Sequence, residues 1–332
     1  MKPTPNFAPL LERFFIQRLM AQRQASPHTI ASYRDTFRLL LDFAQKQLHK
    51  PPSSLALSDI NAPLIGAFLD DLEASRGVSV RSRNLRLTAI RSFFRYAAYQ
   101  EPTHSGLIQQ VLAIPSKRYN RRLVGFLTRT EIEALLAATD TQTWNGRRDH
   151  AFLLMAFQTG LRLSEMTSLR RQDLEMGTGA HVRCQGKGRK ERCTPLTAQN
   201  VKVLTAWLRE PVRGNSDVLF PTVRGERMSA DAVQYLLAKH TAAARKTCPT
   251  LKDKRVSPHI CRHSAAMELL QAGVDALGIA LCLGHESVKT TQIYLDANLA
   301  VKEAALAKMT PIHGSAGRFR PSDKLLQFLK NL

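Results

Sequence analysis

After Ser26-Pro27, an N-cap residue and a proline suited to a first turn, apolar residues recur at Ile30, Tyr33, Phe37, Leu40, Leu41 and Ala44. Spacings of three and four put them on one face of a helix. Pro51-Pro52 interrupts the pattern. Ser58 or Asn61 then opens a second helix with Leu64, Ile65, Phe68, Leu69 and Leu72 inward, and Arg76-Gly77 turns the chain. From Ser79 to Ala98 a long helix follows, with Leu85, Leu87, Ile90, Phe93, Phe94 and Ala97 as its apolar positions. Residues 1–102 are therefore expected to form an all-α domain. Between Glu101 and Leu127 the periodicity disappears. Pro102, Gly106, Pro115 and the run Lys117-Arg118-Tyr119-Asn120-Arg121-Arg122 predict an extended basic linker over 103–124.

Thr128 and Glu131 have capping-box spacing before Ile132, Leu135 and Leu136, and a strongly apolar helix is expected from His150 to about Leu169. The period then changes. Residues 180–184 and 191–196 alternate on either side of Gln185-Gly186-Lys187-Gly188-Arg189-Lys190, which predicts a β-hairpin with a glycine-rich basic turn. From Ala198 to Met309 the pattern is helical again. Leu325, Leu326, Leu329 and Leu332 mark a short amphipathic helix in a tail over 313–332. The fold class that results is mainly α with a small β-sheet: a helical N-terminal domain, a linker, an α+β domain over 125–312, and the tail.

Charge changes the picture. The 332 residues carry 48 Lys and Arg against 27 Asp and Glu, a formal charge of +21. Residues 1–102 hold 14 basic and 8 acidic residues and the remainder 34 and 19, so both parts are basic. A polyanionic partner touching both is the simplest reason. The helix from Ser79 carries Arg81, Arg83, Arg86, Arg91 and Arg95, which with Lys117, Arg118, Arg121 and Arg122 of the linker are candidates to lie along a phosphate backbone. No run approaches the roughly 20 apolar residues that span a bilayer, and the N-terminus lacks a secretory h-region. A cytoplasmic globular protein with no membrane contact is expected. The five cysteines are scattered, without a C-x-x-C pair, and read as small apolar residues kept reduced.

Four motifs of the second half carry candidate chemistry. Thr159-Gly160-Leu161-Arg162-Leu163-Ser164-Glu165 presents a half-buried arginine with an acidic partner three residues on; alone, it reads equally as a helix-surface ion pair. Lys187 sits between two glycines in the hairpin turn, where the Walker pattern is absent and a mobile lysine can reach a leaving oxygen. In Pro258-His259-Ile260-Cys261-Arg262-His263, His259 and Arg262 share a helical face. The His259/His263 spacing resembles a zinc pair but lacks the glutamate of H-E-x-x-H and a third ligand, so no metal is assigned. Finally, Tyr294 follows Gly284-His285 by nine residues.

Together these residues make one chemical inventory. A tyrosine attacking a phosphodiester needs two arginines on the nonbridging oxygens, a general acid for the departing 5′ oxygen, and imidazoles that manage the tyrosine proton and hold the phosphate. Arg162, Arg262, Lys187, His259, His285 and Tyr294 supply it. TGLRLSE, the hairpin lysine, SPHICRH, LGH and the later tyrosine resemble the tyrosine recombinases, also called the phage integrase family. SPHTIASYRDTFRLLLDFA and RSFFRYAAY resemble that family's N-terminal core-binding, SAM-like domain, and residues from about 125 to 312 its catalytic domain. Carried over by position, the resemblance implies Tyr294 as nucleophile forming a 3′-phosphotyrosine, and Arg162 and Arg262 as phosphate ligands. Lys187 would be the general acid, His259 a helper at the tyrosine proton, His285 a phosphate ligand and Glu165 an accessory acid. No ATP, metal or other cofactor is implied. Expected partners are double-stranded recombination sites, further copies of the chain in a tetramer on DNA, and paralogous recombinases, in the service of a mobile element. Cys261 stands where the family usually has Leu, and Asp296 where His is frequent. Three other functions were compatible with parts of the pattern: a catalytically idle DNA-binding relative, a type IB topoisomerase, and a metal-dependent nuclease. The third lacks carboxylate clusters.

Overall fold

The computed structural model describes residues 6–120, 124–186, 191–214, 217–284, 290, 291 and 294. The chain divides into two compact units, residues 1–121 and 122–332.

In the first unit, α1 (Phe7–Arg13) runs into a π-helical segment, Phe14–Gln22, followed by α2 (Pro27–Leu48), α3 (Ala62–Ala74), α4 (Val80–Gln100) and α5 (Ser105–Ala113). Side-chain caps set the starts: Ser26 accepts from Thr29 N–H, Asn61 from Leu64 N–H and Ser79 from Ser82 N–H. The choice between Ser58 and Asn61 thus falls to Asn61. Phe7, Phe14, Phe37 and Phe93 meet in the core, with Phe14 edge-on to Phe93 at 5.5 Å between ring centres.

Two expectations for this unit are corrected. Leu85 is 62% exposed. It precedes Leu87 by two residues, about 200° around the helix, and so faces away from the side that buries Leu87, Ile90, Phe94 and Ala97. Residues 105–113, expected to be extended, form α5. Its Ile108 and Val111 are fully buried, because Leu107, Ile108, Val111 and Leu112 supply a short apolar stripe that the neighbouring proline and basic residues obscure in the sequence.

The second unit begins with α6 (Arg129–Ala137), α7 (Trp144–Thr159) and α8 (Leu163–Ser168). An antiparallel sheet follows, β1 (Leu174–Glu175), β2 (His181–Gln185) and β3 (Glu191–Pro195), in the order β1-β2-β3. The hairpin register pairs Val182 with Thr194 and Gln185 with Glu191; the short β1 was not foreseen. Then come α9 (Ala198–Leu208), α10 (Ala230–Ala244), α11 (Pro258–Gln271) and α12 (Ala276–Leu283). The capping box is present at α6, where Glu131 accepts the Thr128 N–H at 2.8 Å.

The single helix expected over His150–Leu169 is broken at Gly160, which has φ +60° and whose hypothetical Cβ would lie 2.4 Å from Leu283 Cδ2. The left-handed turn and the close approach of α12 both require glycine there. Cys184, Cys248 and Cys261 are buried as expected, whereas Cys193 and Cys282 are exposed. The expected tail helix and residues 295–312 lie outside the described residues.

If α5 belongs to the first unit's core, Ile108→Ala should destabilise it by about 2–5 kcal/mol in urea denaturation. Leu85→Ala, on the exposed face of α4, should change stability by less than about 0.5 kcal/mol.

Candidate active site

The site is built on helix ends. Where α7 stops at Gly160, the chain turns into α8 through Arg162, and Glu165 is the third residue of the new helix. Its carboxylate accepts the Arg162 backbone N–H at 2.7 Å, as in the return half of a capping box, and the Arg162 Nη1–H at 2.9 Å. Arg192, on β3, donates to both oxygens of the same carboxylate at 2.9 and 2.8 Å. The Glu165 side chain is only 2% exposed. Burial works to raise its pKa, but the hydrogen bond and charge of Arg192 and the donors of Arg162 outweigh it and leave the group below the ordinary carboxylate value.

The second arginine comes from α11, whose N-cap Ser257 accepts from Ile260 N–H. Arg262 is buried, and donates from Nη1 to Gly160 O at 2.6 Å and from Nη2 to Leu283 O at 2.8 Å. Arg162 Nη2 donates to the next carbonyl along, Gly284 O, at 2.9 Å. The two guanidiniums therefore rest on consecutive carbonyls at the end of α12, immediately before His285 in the sequence. Burial, then repulsion from Arg162, lowers the Arg262 pKa to about 10, so it stays cationic at neutral pH.

Tyr294 is 1% exposed, packed among Ala266, Met267, Leu270, Ile279 and Leu283. Its hydroxyl lies 3.0 Å from His263 Nδ1. Burial raises the Tyr294 pKa while the charges of Arg262 and Arg162 pull it down. Burial, then the neighbouring His259 and Arg262, lowers the His263 pKa to about 4, so this imidazole is neutral at physiological pH. His259 is exposed in the first turn of α11.

The structure thus brings together Arg162, Glu165, Arg262 and Tyr294. Two residues absent from the sequence inventory join them. In the sequence His263 stands out only as a possible metal partner, and Arg192, in an exposed-looking strand of a basic hairpin, carries no sign of a buried partner. Lys187 and His285 lie outside the described residues.

Of the candidate backbone-tracking residues, Arg81, Arg95 and Arg118 are exposed. Arg83 is corrected: it is 5% exposed, with its Nε 3.7 Å from a Glu73 carboxylate oxygen, and serves the interior of the first unit. Arg86 is half-buried and donates to Thr36 Oγ1 at 3.4 Å. Arg91 is half-buried against Ile114 O and Ser116. Lys117 is exposed but paired with Asp70 and Glu73, and Asn84 holds its backbone at both N–H and C=O. Arg121 and Arg122 lie outside the described residues.

The depressed His263 pKa has a consequence for stability. The unfolded chain binds the proton near the ordinary value of 6.5 and the folded chain only near 4, so this histidine's contribution is intact above pH 6.5 and is lost as pH falls towards 4. Comparing urea denaturation of the wild type and His263→Gln at pH 7.5 and 5 should show a smaller loss on acidification in the variant.

Comparison with known proteins identifies the family. The model of the phage integrase family matches residues 125–300, and that of the phage integrase N-terminal SAM-like domain matches residues 12–101. A Sinorhizobium fredii protein named as an integrase/recombinase, y4rC, is 65% identical over 327 residues, covering 98% of each chain. The tyrosine recombinase XerC of Pelotomaculum thermopropionicum is 32% identical over 289 residues, 84% of this chain and 91% of its own. Among solved structures, XerH bound to palindromic difH substrate in a post-cleavage complex shares the fold with a TM-score of 0.70, at 23% identity over 86% of this chain and 81% of that one. Two arginines on adjacent carbonyls, a buried tyrosine beside them and two family matches in the expected order lead to one conclusion: the chain belongs to the phage integrase family and is a tyrosine recombinase, a site-specific DNA-recombining enzyme.

Proposed function

We propose that Tyr294 attacks the scissile phosphorus of a duplex recombination site, breaking the P–O5′ bond to leave a 3′-phosphotyrosine and a free 5′ hydroxyl. The observation that carries this reading is the placement of Arg162 and Arg262 on the Leu283 and Gly284 carbonyls. It leaves two cations side by side with donors to spare for nonbridging oxygens. The tyrosine proton passes to an imidazole. His263, neutral and within hydrogen-bond distance, holds the hydroxyl in the DNA-free protein, and exposed His259 one turn earlier assists transfer when DNA is bound. Lys187 protonates O5′, His285 binds the phosphate, and Glu165 orients Arg162. Attack by the 5′ hydroxyl of a partner strand reverses the step and reseals DNA, so the ester conserves the bond energy without ATP.

The enzyme works on DNA in the cytoplasm as a tetramer assembled on two sites, in the service of a mobile element. A lambda integrase structure solved as a tetramer on a Holliday junction supports the assembly through the shared fold. The name integrase/recombinase of the y4rC relative supports the element. A paralogous partner recombinase fits the match of a second protein of the same Sinorhizobium fredii strain, y4rD, at 41% identity over 259 residues.

The test begins with a pool of nicked duplexes of randomised sequence, each releasing after cleavage the short fragment that bears the new 5′ hydroxyl, incubated without divalent metal. Wild type should form SDS-resistant adducts whose sequencing reveals the site, and Tyr294→Phe should form none. Adducts in the variant, or none with wild type, would overturn the reading. On the recovered site, Arg81→Ala and Arg118→Ala should each reduce the slope of log affinity against log salt by about 1. Arg83→Ala should instead lower thermal stability and leave that slope unchanged.

A further inference from the structure

Arg192 has no role in the mechanism above, yet it is more enclosed than Arg162: its side chain is 15% exposed against 30%. Both of its terminal nitrogens donate to Glu165 and its Nε is buried, so its guanidinium faces the carboxylate and the protein interior. Its second neighbour is Gly284. A hypothetical Cβ on that residue would lie 2.7 Å from Arg192 Cζ and 2.8 Å from Nε, so the guanidinium packs directly on the glycine. Glu165 and Gly284 are also the two groups that receive the side-chain donors of Arg162.

We propose that Arg192 is a positioning residue for the phosphate clamp: it holds both groups that hold Arg162. This rests on the reading of Arg162 as a ligand of the scissile phosphate. One buried carboxylate facing Arg162 alone would cancel the cation the phosphate needs; shared with Arg192, it orients Arg162 while the cluster stays net positive. The bidentate fork fixes the carboxylate plane, and the contact with Gly284 fixes the carbonyl that receives Arg162 Nη2. Lysine at 192 would keep the charge without the fork, and methionine would keep much of the stem without the charge.

The test uses two versions of the recovered site, one with the natural scissile phosphodiester and one with a neutral methylphosphonate, which asks less of the cationic clamp. In single-turnover cleavage of the phosphodiester, Arg192→Met should slow the step roughly 30-fold, less than the roughly 100- to 1,000-fold loss expected for removing a direct transition-state donor. Arg192→Lys should fall between it and wild type, and DNA affinity should stay within roughly threefold of wild type, because a positioning residue acts through Arg162 rather than on the phosphate. On the methylphosphonate the deficits of Arg192→Met and of Arg162→Met should both shrink. A loss of folding would slow the two substrates alike, so an equal deficit for Arg192→Met, or wild-type rates on the phosphodiester, overturns the proposal. If Arg162→Met itself is not relieved, the phosphate assignment of Arg162 falls and this inference with it. If Arg162→Met is relieved and Arg192→Met is not, only the role of Arg192 falls.

Discussion

One buried carboxylate organises the catalytic unit. Among the described residues this carboxylate, that of Glu165, accepts four hydrogen bonds, one from the Arg162 backbone, one from the Arg162 side chain and two from Arg192. An ionised group this enclosed is tolerated only when its lone pairs are filled and its charge is opposed. Arg162 at the start of the same helix meets part of this need, and Arg192 of strand β3, 27 residues beyond Glu165, meets the rest. Removing either arginine would leave the carboxylate short of partners, and removing the carboxylate would leave guanidiniums facing one another.

The other cations are held by helix termini. The last carbonyls of a helix have no partner inside it, and the aligned peptide dipoles make that end negative. Arg262 joins two such ends, Gly160 O after α7 and Leu283 O of α12, and Arg162 takes Gly284 O after α12. Both helices close on a glycine in the left-handed region, Gly160 at φ +60° and Gly284 at φ +64°. The glycines of TGLR and LGH therefore have a common physical purpose. Each lets its helix end sharply enough to offer a carbonyl to a buried arginine, and each is too crowded to carry a side chain, by Leu283 in one case and Arg192 in the other.

Much of this was legible in the sequence. Regular spacing revealed α2, α3 and α4, and the change of period at 180–196 revealed the hairpin, because one-sided burial imposes those periods. Arg162, Glu165, Arg262 and Tyr294 could be named because the motifs that carry them, weak singly, together resemble one family's set. What escaped depends on tertiary contact. Arg192 looks like one more cation among Lys187, Arg189 and Lys190 until β3 is placed against α8. His263 follows Arg262 directly, so a helical wheel separates the two faces, yet Tyr294 arrives from a later segment to meet it. Arg83 has the same spacing as its exposed neighbours, but the packing around Glu73 encloses it. The helix over 105–113 was hidden because its two buried residues fall between proline and basic runs.

The central claim is that Arg162 and Arg262, seated on consecutive carbonyls, form one binding place for one phosphate beside Tyr294. The most direct measurement is a crystal structure of Tyr294→Phe bound to its recombination site. The account requires the scissile phosphate's nonbridging oxygens to lie within about 3 Å of both guanidiniums, with the residue 294 ring turned towards the phosphorus. A scissile phosphate that meets neither arginine, or meets them while residue 294 is replaced at the phosphorus by another nucleophile, would contradict it.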